Sequence, residues 1–254
     1  MFRVRGSLMP RCARVKSESG FYHVIAKGSG GQNLFEGPYD CQAFLGLLSK
    51  ACEKGGVRVI AYCLMSNHVH LLLEDPESHL GEVMKSALTG YAQRFNKRGD
   101  RVGHVFQQRF KSQPVENEDY LLRAVRYIHN NPEKAGICQA SAFPWSSYHE
   151  YVGTPIVADT APVLELCGGV EGFVAFSAQE DGDDYRFRER TRISDGEARC
   201  FAERVLGEVA LSDLKALERS RRNALLFELK NAGLSISQIQ RLTGIGRNVI
   251  ARAK

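Results

Sequence analysis

No stretch of this 254-residue chain approaches the roughly 20 consecutive apolar residues that a bilayer-spanning helix needs. The expectation is therefore no membrane partner. Arg3, Arg5, Arg11, Arg14 and Lys16 make the N-terminus basic, but no apolar segment follows them, so a secretory leader is not expected and the cytoplasm is. The seven cysteines, at positions 12, 41, 52, 63, 138, 167 and 200, are odd in number and nowhere form Cys-x-x-Cys. That excludes a zinc ribbon or a disulfide framework and fits a reducing compartment. Residues 151–185 lack lysine and arginine altogether and carry seven acidic residues. Basic charge is concentrated on either side. Residues 1–150 hold 19 Lys and Arg against 14 Asp and Glu, and residues 186–254 hold 15 against eight. Two basic blocks flanking an acidic one suggest two nucleic-acid-facing modules and a connector, which the overall net charge of +5 conceals.

What is present supports a globular protein: 43% hydrophobic and 25% charged residues suffice for a full core and a second, smaller domain. Residues 21–26 read as a strand, closed by Gly28-Ser-Gly-Gly31. Residues 40–54 read as a helix, with Phe44, Leu47, Leu48 and Cys52 at helical spacing and Gly55-Gly56 ending it. Strands at 57–65 and 68–74 follow, joined by a tight polar turn, then a helix at 80–97 and a strand or extended hairpin at 105–115. Asn117 or Asp119 caps a third helix, which must stop near Pro132. The order β-α-β-β-α-β-α predicts an α+β fold: a ferredoxin-like split βαβ sheet with helices on one face.

The strand at 68–74 carries the first chemistry. Successive side chains of a strand alternate faces, so His68 and His70 project together while Val69 and Leu71 point the other way. Two adjacent imidazoles on a rigid strand form half of a divalent-metal site, although a bare His-x-His is more often a pair capping a sheet edge. On the third helix Tyr127 and Asn131 are four residues apart and share a face, one offering a phenolic oxygen and the other an amide oxygen that can complete a metal site. A buried structural tyrosine fits the same spacing, and spacing alone does not choose.

Several motifs fall in an order that resembles REP-associated tyrosine transposases, relatives of the one-tyrosine transposases among the HUH single-strand endonucleases. They are Met9-Pro-Arg, Phe21-Tyr-His-Val, Met65-Ser-Asn-His-Val-His-Leu-Leu, Arg94-Phe-Asn, Gly103-His-Val-Phe-Gln-Gln-Arg-Phe-Lys, Tyr127-Ile-His-Asn-Asn-Pro-Glu-Lys-Ala-Gly-Ile and Pro144-Trp-Ser-Ser-Tyr, and together they cover residues 9–153. The resemblance implies a ferredoxin-like HUH endonuclease core in which His68 and His70 hold a divalent metal, Mg²⁺ or Mn²⁺, and Tyr127 is the nucleophile. Asn131 stands where relatives place an amide ligand, although many one-tyrosine transposases have glutamine there. The implied reaction is attack on a DNA phosphodiester to leave a 5′-phosphotyrosine and a free 3′-hydroxyl, reversible by a second DNA end. A phenol ionises near pH 10, so Tyr127 needs help to lose its proton.

Expected partners are single-stranded or hairpin DNA. Arg94, Lys97, Arg98, Arg109 and Lys111, with Phe95, Phe106 and Phe110 interleaved, can track phosphates and stack bases, the alternative being a solvated face over core aromatics. The resemblance suggests that Arg11, Arg14 and Lys16 also grip the hairpin. After an expected acidic connector at 154–193, with a short helix around 161–167, residues 194–254 read as a small all-α domain. Its last stretch resembles a helix-turn-helix: Ser235 or Ser237 caps one helix, Gly244 makes the turn, and Arg247, Asn248 and Arg252 face a duplex groove. The domain limits expected are 1–153, 154–193 and 194–254, and the assembly a monomer or homodimer associated with the nucleoid. A domesticated hairpin binder or transcriptional regulator without turnover, and an RNA-binding ferredoxin-like domain, are the rival readings.

Overall fold

The computed structural model describes residues 15–179, 185, 187, 196, 198–207 and 209–253. The expected hairpin contacts Arg11 and Arg14 lie outside the described residues. The chain divides into two compact units, residues 1–187 and 188–254. No helix among the described residues is long and apolar enough to cross a membrane.

In the first unit β1 (Phe21–Lys27), α1 (Pro38–Gly55), β2 (Arg58–Met65), β3 (His68–Glu74), α2 (Leu80–Arg98), β4 (Lys111–Pro114) and α3 (Glu118–His129) follow the expected order. The sheet runs β2-β3-β1-β4, with every neighbouring pair antiparallel, which is the strand order of a split βαβ arrangement. The fourth strand is much shorter than the expected 105–115. An isolated bridge joins Phe106 to Gly28, Gln107 donates its N–H to the Lys27 carbonyl at 2.9 Å, and regular pairing resumes only at Lys111. It is an edge strand and ends on Pro114, which has no N–H to donate.

The expectation of helices on one face is corrected: both faces are covered. Alternation along β3 turns Val69, Leu71 and Leu73 toward α1 and α2, where they pack with Phe44, Leu48, Met84, Leu88 and Tyr91. Leu72 points the other way and packs with Leu121, Ala124, Val125 and Ile128 of α3. The cause lies in the strands, since β2 is buried at seven consecutive positions and β3 at five, so each sheet face needs its own cover. Burial of each such leucine contributes about 1.5–3 kcal/mol.

Further helices complete the second face: α4 (Asn131–Lys134), α5 (Tyr148–Val152), α6 (Ala161–Cys167) and α7 (Val170–Ser177). The buried Glu150 carboxylate ties this part down. It accepts from the Tyr62 hydroxyl at 2.6 Å and from the backbone N–H groups of Ile156, Val157 and Ala158 at 2.6–2.8 Å. Val163 of α6 and Phe173 of α7 are buried with α3, and Phe173 stacks on Tyr151 at 4.5 Å between centroids. The first part of the expected connector is therefore packed into the first unit; Phe173 and Val163 are its anchors.

The second unit contains α8 (Ala198–Leu206), α9 (Arg219–Asn231), α10 (Ile236–Thr243) and α11 (Arg247–Arg252) around Leu226, Leu229, Ile239 and Ile250. Ser235 caps α10 through a reciprocal pair with Gln238, and Gly244 ends it at φ 67°.

Candidate active site

The site forms where β1, β3 and α3 meet. His68 and His70 share a face of β3, as strand alternation requires, and their rings lie 5.0 Å apart between centroids. That face is the one covered by α3. Asn117 starts the helix by accepting from the Tyr120 N–H at 2.8 Å, and two turns on Tyr127 meets the His70 ring at 5.8 Å. Asn131, the first residue of α4, donates through Nδ2 to the Tyr127 carbonyl at 2.8 Å and to the Ile128 carbonyl at 3.3 Å. This leaves its amide oxygen as the end a metal can use. The Lys134 ammonium lies 4.2 Å from the centroid of the Tyr127 ring.

The two imidazoles suit a metal. Burial, helped by Lys27, lowers the His68 pKa from 6.5 to about 4. Burial also holds His70 well below its ordinary value, with His23, His68, Lys27 and Lys134 adding to the effect. Both rings are therefore neutral at pH 7 and keep a lone pair for coordination. His68 Nδ1 lies 2.7 Å from Asn67 Oδ1, an acceptor, so Nδ1 carries the hydrogen and Nε2 the lone pair. Among the described residues no three His, Cys, Asp or Glu side chains cluster in a way that could hold a metal, so a third ligand beside the two histidines would be of another type.

His23 was legible only as a strand residue, yet it completes the cluster. It shares a face of β1 with Phe21 and Ile25, is fully buried, and places Nε2 2.9 Å from His70 Nδ1. Its Nδ1 lies 2.7 Å from the hydroxyl of Tyr185, whose ring packs 5.2 Å from Tyr127 and 4.6 Å from Tyr120. A histidine inside an apolar strand at alternating spacing was a usable signal for His23. Nothing local marks Tyr185, which follows the acidic run.

The expected DNA contacts scatter. Lys111 pairs with Ile25 across the sheet and thus shares the His23 face; with Lys27, Gln107, Gln108 and Arg109 it lines a small cleft. Lys16 is exposed just before β1. Arg94, Lys97 and Arg98 belong to α2, against the opposite sheet face. There Arg94 bonds to the Tyr39 hydroxyl, and Arg98 pairs with Asp40 and, at 3.1 Å, with Glu36. Phe95 and Phe110 are buried in the core, so they are not stacking platforms. Arg247, Asn248 and Arg252 are exposed on α11 of the second unit.

With this geometry in hand, residues 16–131 match the family described as IS200-like transposases, a stretch that contains β1 to α3 and every residue of the histidine–tyrosine cluster except Lys134 and Tyr185. The match, over just under half of the chain, agrees with the resemblance read from the motifs. The chain is 26% identical over 142 residues to a Haemophilus influenzae protein assigned as a REP-associated tyrosine transposase, spanning 50% of this chain and 81% of that protein. The fold is also that of a solved REP-associated tyrosine transposase bound to a REP hairpin, with a TM-score of 0.50, 19% identity, and coverage of 60% of this chain and 93% of the other.

Proposed function

We propose that the first unit is a divalent-metal-dependent nuclease and strand transferase for single-stranded, hairpin-associated DNA, working through a 5′-phosphotyrosine. The observation that carries this reading is the convergence of His68 and His70 from β3 with Tyr127 from α3 on one sheet face. His68, His70 and the Asn131 amide would hold Mg²⁺ or Mn²⁺; imidazole is a softer ligand than Mg²⁺ usually meets, which favours Mn²⁺. When bound, the ion would supply Lewis-acid polarisation and orientation of the scissile phosphate.

Tyr127 is the nucleophile in this reading. Its hydroxyl gives up its proton to water, helped by the Lys134 ammonium beside the ring, which favours the phenolate. The phenolate oxygen bonds to phosphorus, the bond from phosphorus to the 3′ oxygen breaks, and that oxygen takes up a proton. One phosphodiester is exchanged for another, so a second 3′-hydroxyl can reverse the step and become joined. Lys111, which shares the His23 face, and Arg109, which lines the same cleft, are assigned to phosphates, with Lys16 before β1 as a further contact. A hairpin substrate is supported by the REP hairpin in the solved neighbour. Arg247, Asn248 and Arg252 are assigned to duplex DNA, with α10 and α11 acting as a helix-turn-helix; a DNA-bound protein of this kind would work in the cytoplasm on the nucleoid.

The test is incubation of a labelled single-stranded hairpin library with Mn²⁺ or with EDTA, for the wild type and Tyr127→Phe. A covalent adduct at a 5′ phosphate is expected only with metal and only with the tyrosine. Equal, adduct-free hairpin binding by both proteins would replace this reading with a binding module.

A further inference from the structure

A metal takes a histidine nitrogen through its lone pair, so which nitrogen is available depends on what the other one bonds to. For His68 the Asn67 side-chain amide oxygen settles the matter. For His70 the partner is another imidazole, His23, and a contact between two neutral rings holds one hydrogen that either ring can supply. The three-group chain from His70 Nδ1 to His23 Nε2, and from His23 Nδ1 to the Tyr185 hydroxyl, therefore has two polarities. In the outward one His70 donates to His23, His23 donates to the tyrosine oxygen, and His70 Nε2 keeps its lone pair. In the inward one Tyr185 donates to His23, His23 donates to His70, and His70 Nε2 is left protonated and unable to coordinate.

We infer that His23, backed by the Tyr185 hydroxyl as acceptor, is a positioning residue that sets the tautomer of His70 and so makes it a metal ligand. The inference rests on the metal-site reading above, but neither residue belongs to the ligand set. Geometry supports a fixed role: His23 is fully buried, both its nitrogens are engaged within 2.9 Å, and its ring is packed edge-on between Phe187 at 4.7 Å and Tyr127 at 5.7 Å. It cannot turn without losing both bonds. Tyr185 matters because, without its oxygen, the buried His23 Nδ1–H of the outward polarity would have no acceptor. A buried N–H without a partner is costly, so the inward polarity would gain.

The experiment titrates Mn²⁺ into the full chain without DNA, following free ion by electron paramagnetic resonance, and measures the melting temperature of each protein. Wild type and His68→Ala come first, and Mn²⁺ binding weakened in His68→Ala establishes the site. His23→Leu should then raise the Mn²⁺ Kd about 10- to 100-fold, the usual cost of losing a residue that orients a metal-bound histidine. His23→Gln, whose side-chain oxygen stands near the lost Nε2 and accepts from His70, should recover most of that affinity. Tyr185→Phe should weaken binding in the same direction by less. Melting temperatures should not follow this order, since leucine suits an apolar strand.

No Mn²⁺ binding by wild type, or binding indifferent to His68→Ala, would overturn the metal-site reading and this inference with it. A site that passes those controls but binds alike in His23→Leu would overturn the inference alone. So would tighter binding in Tyr185→Phe, which would make that tyrosine an obstruction rather than an acceptor.

Discussion

His129 shows what burial does to a single side chain in this protein. It is fully buried on α3, with Nε2 2.8 Å from the Ser147 hydroxyl, and burial, with a smaller contribution from His149, lowers its pKa from 6.5 to about 3. Folded His129 therefore stays neutral to about pH 3, while the unfolded chain protonates it from about pH 6.5. Between those values the unfolded state binds more protons, so stability is full above pH 6.5 and falls as the pH drops through the window. His129→Gln should flatten the acid slope of the first unit by up to about 1.4 kcal/mol per pH unit. Urea midpoints at pH 7, 6 and 5, read from the single tryptophan, Trp145, check this; identical slopes for both proteins would refute it. His23, lowered to about 3 by burial, adds to the same acid sensitivity.

Helix ends were the easiest elements to read, because a cap is a local event. Asn117 before α3 and Ser235 before α10 accept the expected backbone hydrogens. Asn117→Ala should cost about 1 kcal/mol and loosen the helix that presents Tyr127. Gly244 sits at φ 67°, where a Cβ is strained although nothing lies within 4 Å of it. Gly244→Ala should thus destabilise the α10–α11 turn by about 1 kcal/mol through the backbone alone. Amide hydrogen exchange in residues 234–253 should speed up about fivefold, with residues 57–74 unaffected, and unchanged exchange in 234–253 would remove the argument. Strand limits at 68–74 and the helix at 161–167 were also legible, since apolar period and flanking turn residues report both. The edge strand was expected within 105–115, but its limits were not legible. Its polar residues alternate no better than a loop, and only pairing with β1 defines it.

Charge acts on the whole molecule, as two basic blocks on separate units. Phosphate contacts release counterions, so each one removed should lower the salt dependence of DNA binding by about 1 in log–log slope. Arg109→Ala should do this for hairpin DNA and slow adduct formation. Arg247→Ala should do it for duplex DNA and leave adduct formation at Tyr127 unchanged. Binding isotherms from 50 to 200 mM salt separate the two, and loss of adduct in Arg247→Ala would show that the units do not divide the work this way. Arg98 makes the contrary point: it belongs to a basic cluster in the chain, but folding pairs it with Glu36 and Asp40.

By itself the sequence determined what each element can present. Period two along β3 puts His68 beside His70, helical period puts Tyr127 on the third helix, and the motif order carries the family resemblance, whereas Asn131, expected on the same helix as Tyr127, opens α4 after α3 has ended at His129. These are local properties of a chain whose side-chain directions follow from its backbone. Tertiary structure decided what each face meets. It set α3, not α1 or α2, over the histidine face, sent Phe95 and Phe110 into the core, and brought His23 to His70 and Tyr185 to His23 from distant parts of the unit's sequence. Such contacts depend on which apolar surface covers which, a choice made by packing both sides of the sheet at once, and no local period records it.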